Sequence, residues 1–233
     1  MYPVFEARPQ HTIDWSSPMT IASQHAQLTS ATLQAVQFSS RSTPTSKRTA
    51  PRGRTPDPIN IHRWIEANRH LLKPPVGNQY LHCGEDFIVM VIGGPNARND
   101  FHVNTTEEWF HQVKGDIAVR VREGERMRDV VIREGETWLC PALLPHRPQR
   151  PADTIGLVIE AQRPPGDLDH LVFHCERCGA LVHDAAFHMN DIVVHFARIM
   201  EEFWNGPAEA RTCRKCGTVV EKAGPYEMKD LLL

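Results

Sequence analysis

GGPNARNDFHVNTTEEWFHQVKG, residues 93–115, and the downstream GETWLCPALLPHRPQR, residues 135–150, decide the reading of this chain. In the first stretch His102 stands six residues before Glu108, and Gly115 follows seven residues after it. In the second, Gly135 is followed by Pro141 and then His146. Residues 109–113 form a short strand candidate that stops at Lys114-Gly115, and residues 137–140 form one that stops at Pro141. Both read as strands closed by turn formers. The same pattern extends outward. Residues 86–92 are apolar and β-branched and end at Gly93-Gly94-Pro95; residues 130–133 precede Gly135; residues 154–162 are a further apolar run. Ile117, Val119 and Val121 alternate with Ala118, Arg120 and Arg122, the period of two that marks a half-buried strand. Short strands with turn signals roughly every 8–12 residues predict an all-β dominated sandwich or barrel. Two helices interrupt it. Ile61, Ile65 and Leu72 lie near helical spacing before Pro74-Pro75, and Ile192, His195, Phe196, Ile199, Met200 and Phe203 share one face of a helix over residues 192–204.

Composition sets the outer bounds. The chain has 233 residues, 41% of them hydrophobic and 23% charged, which suits one or two packed globular domains. A net charge of -2 gives no basic face for nucleic acid, and no run approaches the roughly 18 apolar residues of a membrane span. The expectation is therefore a cytoplasmic protein without nucleic-acid or membrane partners. Residues 1–57 differ from the rest. They are rich in Ser and Thr, hold only Glu6 and Asp14 as acids before Asp57, and end in the basic, Pro-containing run 47–54. Such a segment buries too little apolar surface to offset its ordering entropy and is expected to be disordered. An organelle transit peptide has the same composition. The expected organisation is thus an extension over 1–57, a barrel over 58–166 and a cysteine-bearing region over 167–233.

The spacing of His102, Glu108 and Gly115, and of Gly135, Pro141 and His146, resembles the two sequence motifs of the cupin superfamily, a jelly-roll barrel whose motif residues point inward at one metal. Two departures stand out. Asp100 and Asn104 flank His102 where a second histidine commonly stands, and Leu143 replaces a common glycine. The first departure fits a particular chemistry. Two imidazoles and one carboxylate on one face of a metal leave three adjacent positions open, the facial triad of non-haem Fe(II) oxygenases. The resemblance narrows further, over about three quarters of the chain. RWIEANRHLLKPPVGN (63–78), VIGGPNARNDFH (91–102), EEWFHQVKGD (107–116), PHRPQRP (145–151) and LVIEAQRP (157–164) resemble the bacterial type of 3-hydroxyanthranilate 3,4-dioxygenase. The resemblance implies ring opening of 3-hydroxyanthranilate with O2 to 2-amino-3-carboxymuconate semialdehyde, which closes to quinolinate on the way to NAD. It carries the iron ligands onto His102, Glu108 and His146, active-site arginines onto Arg98 and Arg150, a carboxylate onto Glu160, and a further pocket residue onto Asn78. Arg150 would hold the ring carboxylate, Arg98 would face the oxygen, and Glu160 would move a proton. His111, three residues after Glu108, would point away from the site on an alternating strand. The family includes dimers, and a one-barrel chain is expected to be a homodimer.

The second constellation is Cys175-x2-Cys178-Gly179 with Cys213-x2-Cys216-Gly217. Four thiolates in two knuckles favour a tetrahedral Zn or a rubredoxin-like Fe, and the resemblance implies iron remote from catalysis. A structural role is expected, since four-cysteine sites are closed. His174, His183 and His188 lie nearby but would be surplus to a complete ligand set. Two other functions compete. One is a cupin dioxygenase acting on a different o-aminophenol, a catechol-like carboxylate or a thiol; Arg98 and Arg150 favour an anionic aromatic substrate over a thiol. The other is a non-enzymatic metal-binding module, which would want a basic face and no complete triad.

Overall fold

The computed structural model describes residues 56–74, 77–189 and 191–231, so the reading of residues 1–57 lies outside the described residues except at Pro56 and Asp57. Helix α1 (Ile61–Asn68) comes first, its N-cap Asn60 accepting a hydrogen bond from the Arg63 amide. Eleven strands follow: β1 (Asn78–Cys83), β2 (Phe87–Gly93), β3 (Asp100–Val103), β4 (Glu108–Lys114), β5 (Ile117–Glu123), β6 (Arg126–Ile132), β7 (Thr137–Cys140), β8 (His146–Gln149), β9 (Ile155–Ala161), β10 (Asp169–His174) and β11 (Leu181–Phe187). Helix α2 (Ile192–Asn205) follows the strands.

The strands form two antiparallel sheets. One has five strands in the order β1-β2-β9-β4-β7, the other six in the order β11-β10-β3-β8-β5-β6. Neighbours distant in sequence are thereby joined, as in a cupin jelly roll. The alternation read from the sequence sorts side chains between the faces. Ile88, Met90, Phe110 and Val158 of the first sheet meet Ile117, Val119, Val121 and Ile132 of the second in one buried cluster. Truncating Phe110, 2% exposed, to alanine would cost about 3–5 kcal/mol through lost burial and a cavity. On the outer face, Ile65 and Leu72 pack with Val91 and Ile155, so α1 covers the back of the five-stranded sheet.

The sequence-based elements recur with shifted ends. The helix expected over 61–72 stops at Asn68 and tightens into a 3-10 turn over Arg69–Leu71. Strands β1, β3, β8, β10 and β11 had no sequence counterpart. β3 and β8 are four residues each and carry polar or Pro residues, too short to show a period. Two strands of the 167–233 region, β10 and β11, extend the six-stranded sheet through pairing of β10 with β3. The helix over 192–204 appears as α2, with Ile192, Ile199 and Phe203 buried as its periodicity requires.

Candidate active site and second metal centre

The two quoted motifs meet in space. Asn96 and Arg150 form an isolated antiparallel bridge, the Asn96 amide donating to the Arg150 carbonyl at 2.9 Å. His102 on β3 lies directly opposite His146 on β8. Glu108, the first residue of β4 on the other sheet, reaches across to both. Its Oε1 lies 3.1 Å from His102 Nδ1 and 3.3 Å from His146 Nε2, and all three residues are at most 3% exposed. Ligand atoms at adjacent corners of an octahedron with bonds of about 2.0–2.2 Å lie about 3 Å apart, so the spacing suits one ion bound on a single face.

The far side of each ring is also fixed. Asp169 Oδ2 lies 2.7 Å from His102 Nε2, and the Leu144 carbonyl lies 2.9 Å from His146 Nδ1. Each contact is made by the nitrogen opposite the shared centre, which leaves Nδ1 of His102 and Nε2 of His146 as ligand atoms. Asn104 Nδ2 donates to Glu108 Oε1 at 2.9 Å. Burial opposes charge on all three groups, yet the cluster overrides it. Hydrogen bonds from Asp169 and Glu108 push His102 up to about 9, Glu108 and Cys140 push His146 up to about 10, and the two imidazoles hold Glu108 well below the usual carboxylate range. A cation bound here displaces those imidazole protons, so binding weakens as pH falls.

Around this centre stand the arginines and the carboxylate. Arg150, directly after β8, is 1% exposed. Its Nη1 reaches Gln112 Oε1 at a long 3.3 Å, while Nε and Nη2 find no hydrogen-bond partner among the described residues. Burial alone pulls this guanidinium down to about 10. Gly156 makes room for the pair: a Cβ there would stand 2.6 Å from Gln112 Oε1 and 2.9 Å from Arg150 Nη1. Arg98 is occupied differently. It is ion-paired with Asp100 and stacks over Phe196 of α2, 5.1 Å from the ring centroid. Phe196 also meets His102 edge-on at 4.9 Å, so α2 walls the centre on that side. Glu160 on β9 sits opposite Glu108 on β4 and pairs with Arg163 at 2.8 Å. Burial, reinforced by the Glu108 charge and opposed by Arg163, pushes it up to about 7, within reach of proton exchange near neutrality.

Glu160 and Arg163 line a cavity with Tyr80, Ile88, Met189 and Ile192. Tyr80 receives the Ile192 amide at 3.2 Å and donates to Asp191 at 3.1 Å, tying the start of α2 to β1. Asn78 lies two residues before Tyr80 on β1, opposite Ile92, and is half-buried. His111 stacks on Trp109 at 5.8 Å between centroids, away from the triad. Sequence reading passed over Arg163, Asp169, Gln112 and Phe196. Arg163 sat inside the quoted LVIEAQRP stretch, but nothing in its spacing tied it to Asp169 or His102.

Each half of the cysteine centre is built locally, and the two halves meet across 35 and 41 residues. Cys175 Sγ lies 3.5 Å from Cys216 Sγ, and Cys178 Sγ lies 3.6 Å from Cys213 Sγ. Disulfide sulfurs lie about 2.05 Å apart, whereas the edge of a tetrahedron with metal–sulfur bonds of about 2.3 Å is about 3.8 Å. The two knuckles repeat one geometry. Gly179 and Gly217 take φ of +68° and +73°, and their amides donate to the Cys175 and Cys213 carbonyls at 2.8 Å. Positive φ is cheap only for glycine, and it turns the chain back around the metal.

The family model described as 3-hydroxyanthranilic acid dioxygenase matches residues 54–204, which includes the triad and the first knuckle and ends before the second. A 3-hydroxyanthranilate 3,4-dioxygenase of Scheffersomyces stipitis is 49% identical over 164 residues, 70% of this chain and 95% of that protein. One from Xanthomonas campestris pv. campestris is 44% identical over 162 residues, 70% of this chain and 91% of that protein. A solved cupin-2 domain containing protein from Shewanella frigidimarina covers 44% of this chain and 91% of its own at 15% identity and a TM-score of 0.35.

Proposed function

This chain belongs to the 3-hydroxyanthranilic acid dioxygenase family, and from that membership we propose that it opens the ring of 3-hydroxyanthranilate with O2, using Fe(II) held by His102, Glu108 and His146. The product is 2-amino-3-carboxymuconate semialdehyde, the precursor of quinolinate and so of NAD. Such an ion, bound on one face, would supply adjacent positions for the substrate's neighbouring hydroxyl and amine and for O2, and would acidify the hydroxyl as a Lewis acid.

The observation that carries the substrate is Arg150. A guanidinium buried with two of its nitrogens unpartnered is costly in isolation, and a carboxylate satisfies it bidentately. It follows the His146 strand directly, so the same segment supplies a metal ligand and an anion site. Glu160, whose pKa lies near 7, is the group for holding and returning a proton at the substrate. Arg98, beside His102 through Phe196, is assigned to negative charge developing on the oxygen, with Asp100 fixing its orientation. Asn78, on the same strand as the cavity-lining Tyr80, is assigned to the pocket rim.

Residues 58–166 carry the metal triad and residues 167–233 the four cysteines, the latter also lending β10 and β11 to the barrel sheet and Asp169 to His102. Rubredoxin-like Fe or Zn at Cys175, Cys178, Cys213 and Cys216 serves a structural role, supported by the tight sulfur spacing. A homodimer in the cytoplasm completes the reading, supported by the single barrel and by the family's dimers, with residues 1–57 as the candidate targeting segment. Among the described residues no helix is long and apolar enough to cross a membrane.

Substrate choice is tested by comparing 3-hydroxyanthranilate with 2-aminophenol, which lacks the carboxylate. The wild type should prefer the acid strongly, and Arg150→Gln should erase most of that preference. An unchanged preference in Arg150→Gln would remove Arg150 from carboxylate recognition.

A further inference from the structure

Two buried arginines frame the barrel centre, and their hydrogen bonding is opposite. Arg150 has donors to spare. Arg163, whose side chain is 2% exposed, uses all five. Its Nε donates to Asp169 Oδ1 at 2.7 Å, and Nη2 donates to Asp169 Oδ2 and Glu160 Oε2 at 2.8 Å each. Its Nη1 donates to Thr106 Oγ1 and the Ala161 carbonyl, also at 2.8 Å. Asp169 Oδ2, one of these acceptors, is the atom that orients His102. One guanidinium therefore touches both the carboxylate that sets a metal-ligand ring and the carboxylate assigned to proton transfer.

We propose that Arg163 is a positioning residue for this reaction: by bridging Asp169 and Glu160 it fixes the His102 imidazole toward the metal and the Glu160 carboxylate toward the substrate. The inference rests on the dioxygenase reading above. Stability alone gives little reason for the arrangement, because buried ion pairs are often no better than well-packed apolar side chains of the same size. Geometry gives a stronger one. Bidentate pairing locks both Asp169 oxygens, so the carboxylate cannot rotate and release His102 Nε2. Glu160 commits Oε2 to the same Nη2, which leaves Oε1 to serve the cavity it lines. A lysine would keep the charge but lacks the planar fork that spans two carboxylates.

The experiment uses the full-length protein, stripped of metal and titrated with Co(II) against a competing chelator. The thiolate-to-cobalt absorption of the four-cysteine centre reports separately from the barrel centre and serves as the internal control. Arg163→Gln should weaken Co(II) binding at the barrel by about 10- to 100-fold while leaving the thiolate signal intact. Reloaded with saturating Fe(II), it should show a lowered kcat for 3-hydroxyanthranilate with KM nearly unchanged. Arg163→Lys, which keeps the charge but loses the fork, should recover neither the barrel metal affinity nor kcat even where its Tm returns to the wild-type value, a split that a merely structural role would not produce. Should Arg163→Gln fail to fold, Asp169→Asn, close to isosteric, should show the same selective loss at the barrel. Barrel affinity and kcat within twofold of wild type in Arg163→Lys and Asp169→Asn would overturn the proposal. A wild type that binds Co(II) at the barrel yet does not turn over 3-hydroxyanthranilate would instead sink the substrate reading, with the metal-affinity arm still deciding the link from Arg163 to His102.

Discussion

The barrel centre draws three ligands from β3, β4 and β8 on two facing sheets, whereas the cysteine centre draws four from two short loops, Cys175–Cys178 and Cys213–Cys216. The loops fold the same way twice, each with a glycine at positive φ and the same amide-to-carbonyl bond. Each loop sets its own turn locally, although the two loops meet across 35 and 41 residues. The barrel ligands depend instead on register across the chain: His102 meets its orienting Asp169 67 residues away. The two centres also differ in what they leave unsatisfied. Around the triad, burial holds Glu160 near 7 and leaves Arg150 with unpartnered nitrogens. A fold keeps such groups where a ligand is to satisfy them. The cysteine centre brings together four sulfurs, a full ligand set for a tetrahedral ion.

That contrast is broken most severely by His146→Ala. It removes one of three barrel ligands, so barrel metal and turnover should fall below detection while metal analysis still finds one ion per chain at the cysteines. Retained turnover would dissolve the triad. Next comes Arg150→Met, which should move activity and stability in opposite directions. Loss of a bidentate pair to the substrate costs about 2–4 kcal/mol, roughly a 30- to 1000-fold fall in kcat/KM. Removing a buried, poorly paired charge should raise stability by about 1–4 kcal/mol, read as a higher Tm. A fall in both would mean that Arg150 is a structural residue. Cys213→Ser inverts the pattern: Tm should drop by roughly 10 °C, taking about 4 kcal/mol at about 2–4 °C per kcal/mol, with kcat within a few-fold of wild type in the folded fraction. Loss of kcat in well-folded Cys213→Ser would couple the two centres.

The smallest effect concerns Leu143. It takes a left-handed φ of 63° three residues before His146, the first residue of β8, with its amide donating to the Asn104 carbonyl at 2.8 Å. A leucine thus holds a backbone conformation that glycine takes freely, at a cost of about 1–2 kcal/mol. Leu143→Gly recovers that strain but adds about 0.5–1 kcal/mol of unfolded-state entropy, so chemical denaturation should show a net gain below about 1 kcal/mol. A destabilisation larger than that would mean that the exposed Leu143 side chain has a partner.

Legibility in the sequence followed the same local-versus-distant divide. The cysteine knuckles were complete in the spacing, because everything that shapes them lies within five residues. Strands with clear alternation, such as β4 and β5, were readable because one face is buried. β3 and β8 were not, although they carry both histidines, because four residues with Asp, Arg and Pro show no period. The triad was recovered through motif spacing and resemblance, not through strand pattern. Arg163 and Asp169 escaped altogether, since an ion pair that orients a ligand across the barrel leaves no trace in residue order. Arg98 and Glu160 each carry an ion-pair partner in the fold, Asp100 and Arg163.

The central claim is tested most directly by oxygen uptake. Full-length protein loaded anaerobically with Fe(II) would be mixed with 3-hydroxyanthranilate and O2 while oxygen and the semialdehyde absorbance are followed together. One O2 consumed per substrate, with a product that decays to quinolinate, is the predicted result. No uptake by protein shown to hold iron at His102, Glu108 and His146 would contradict the account.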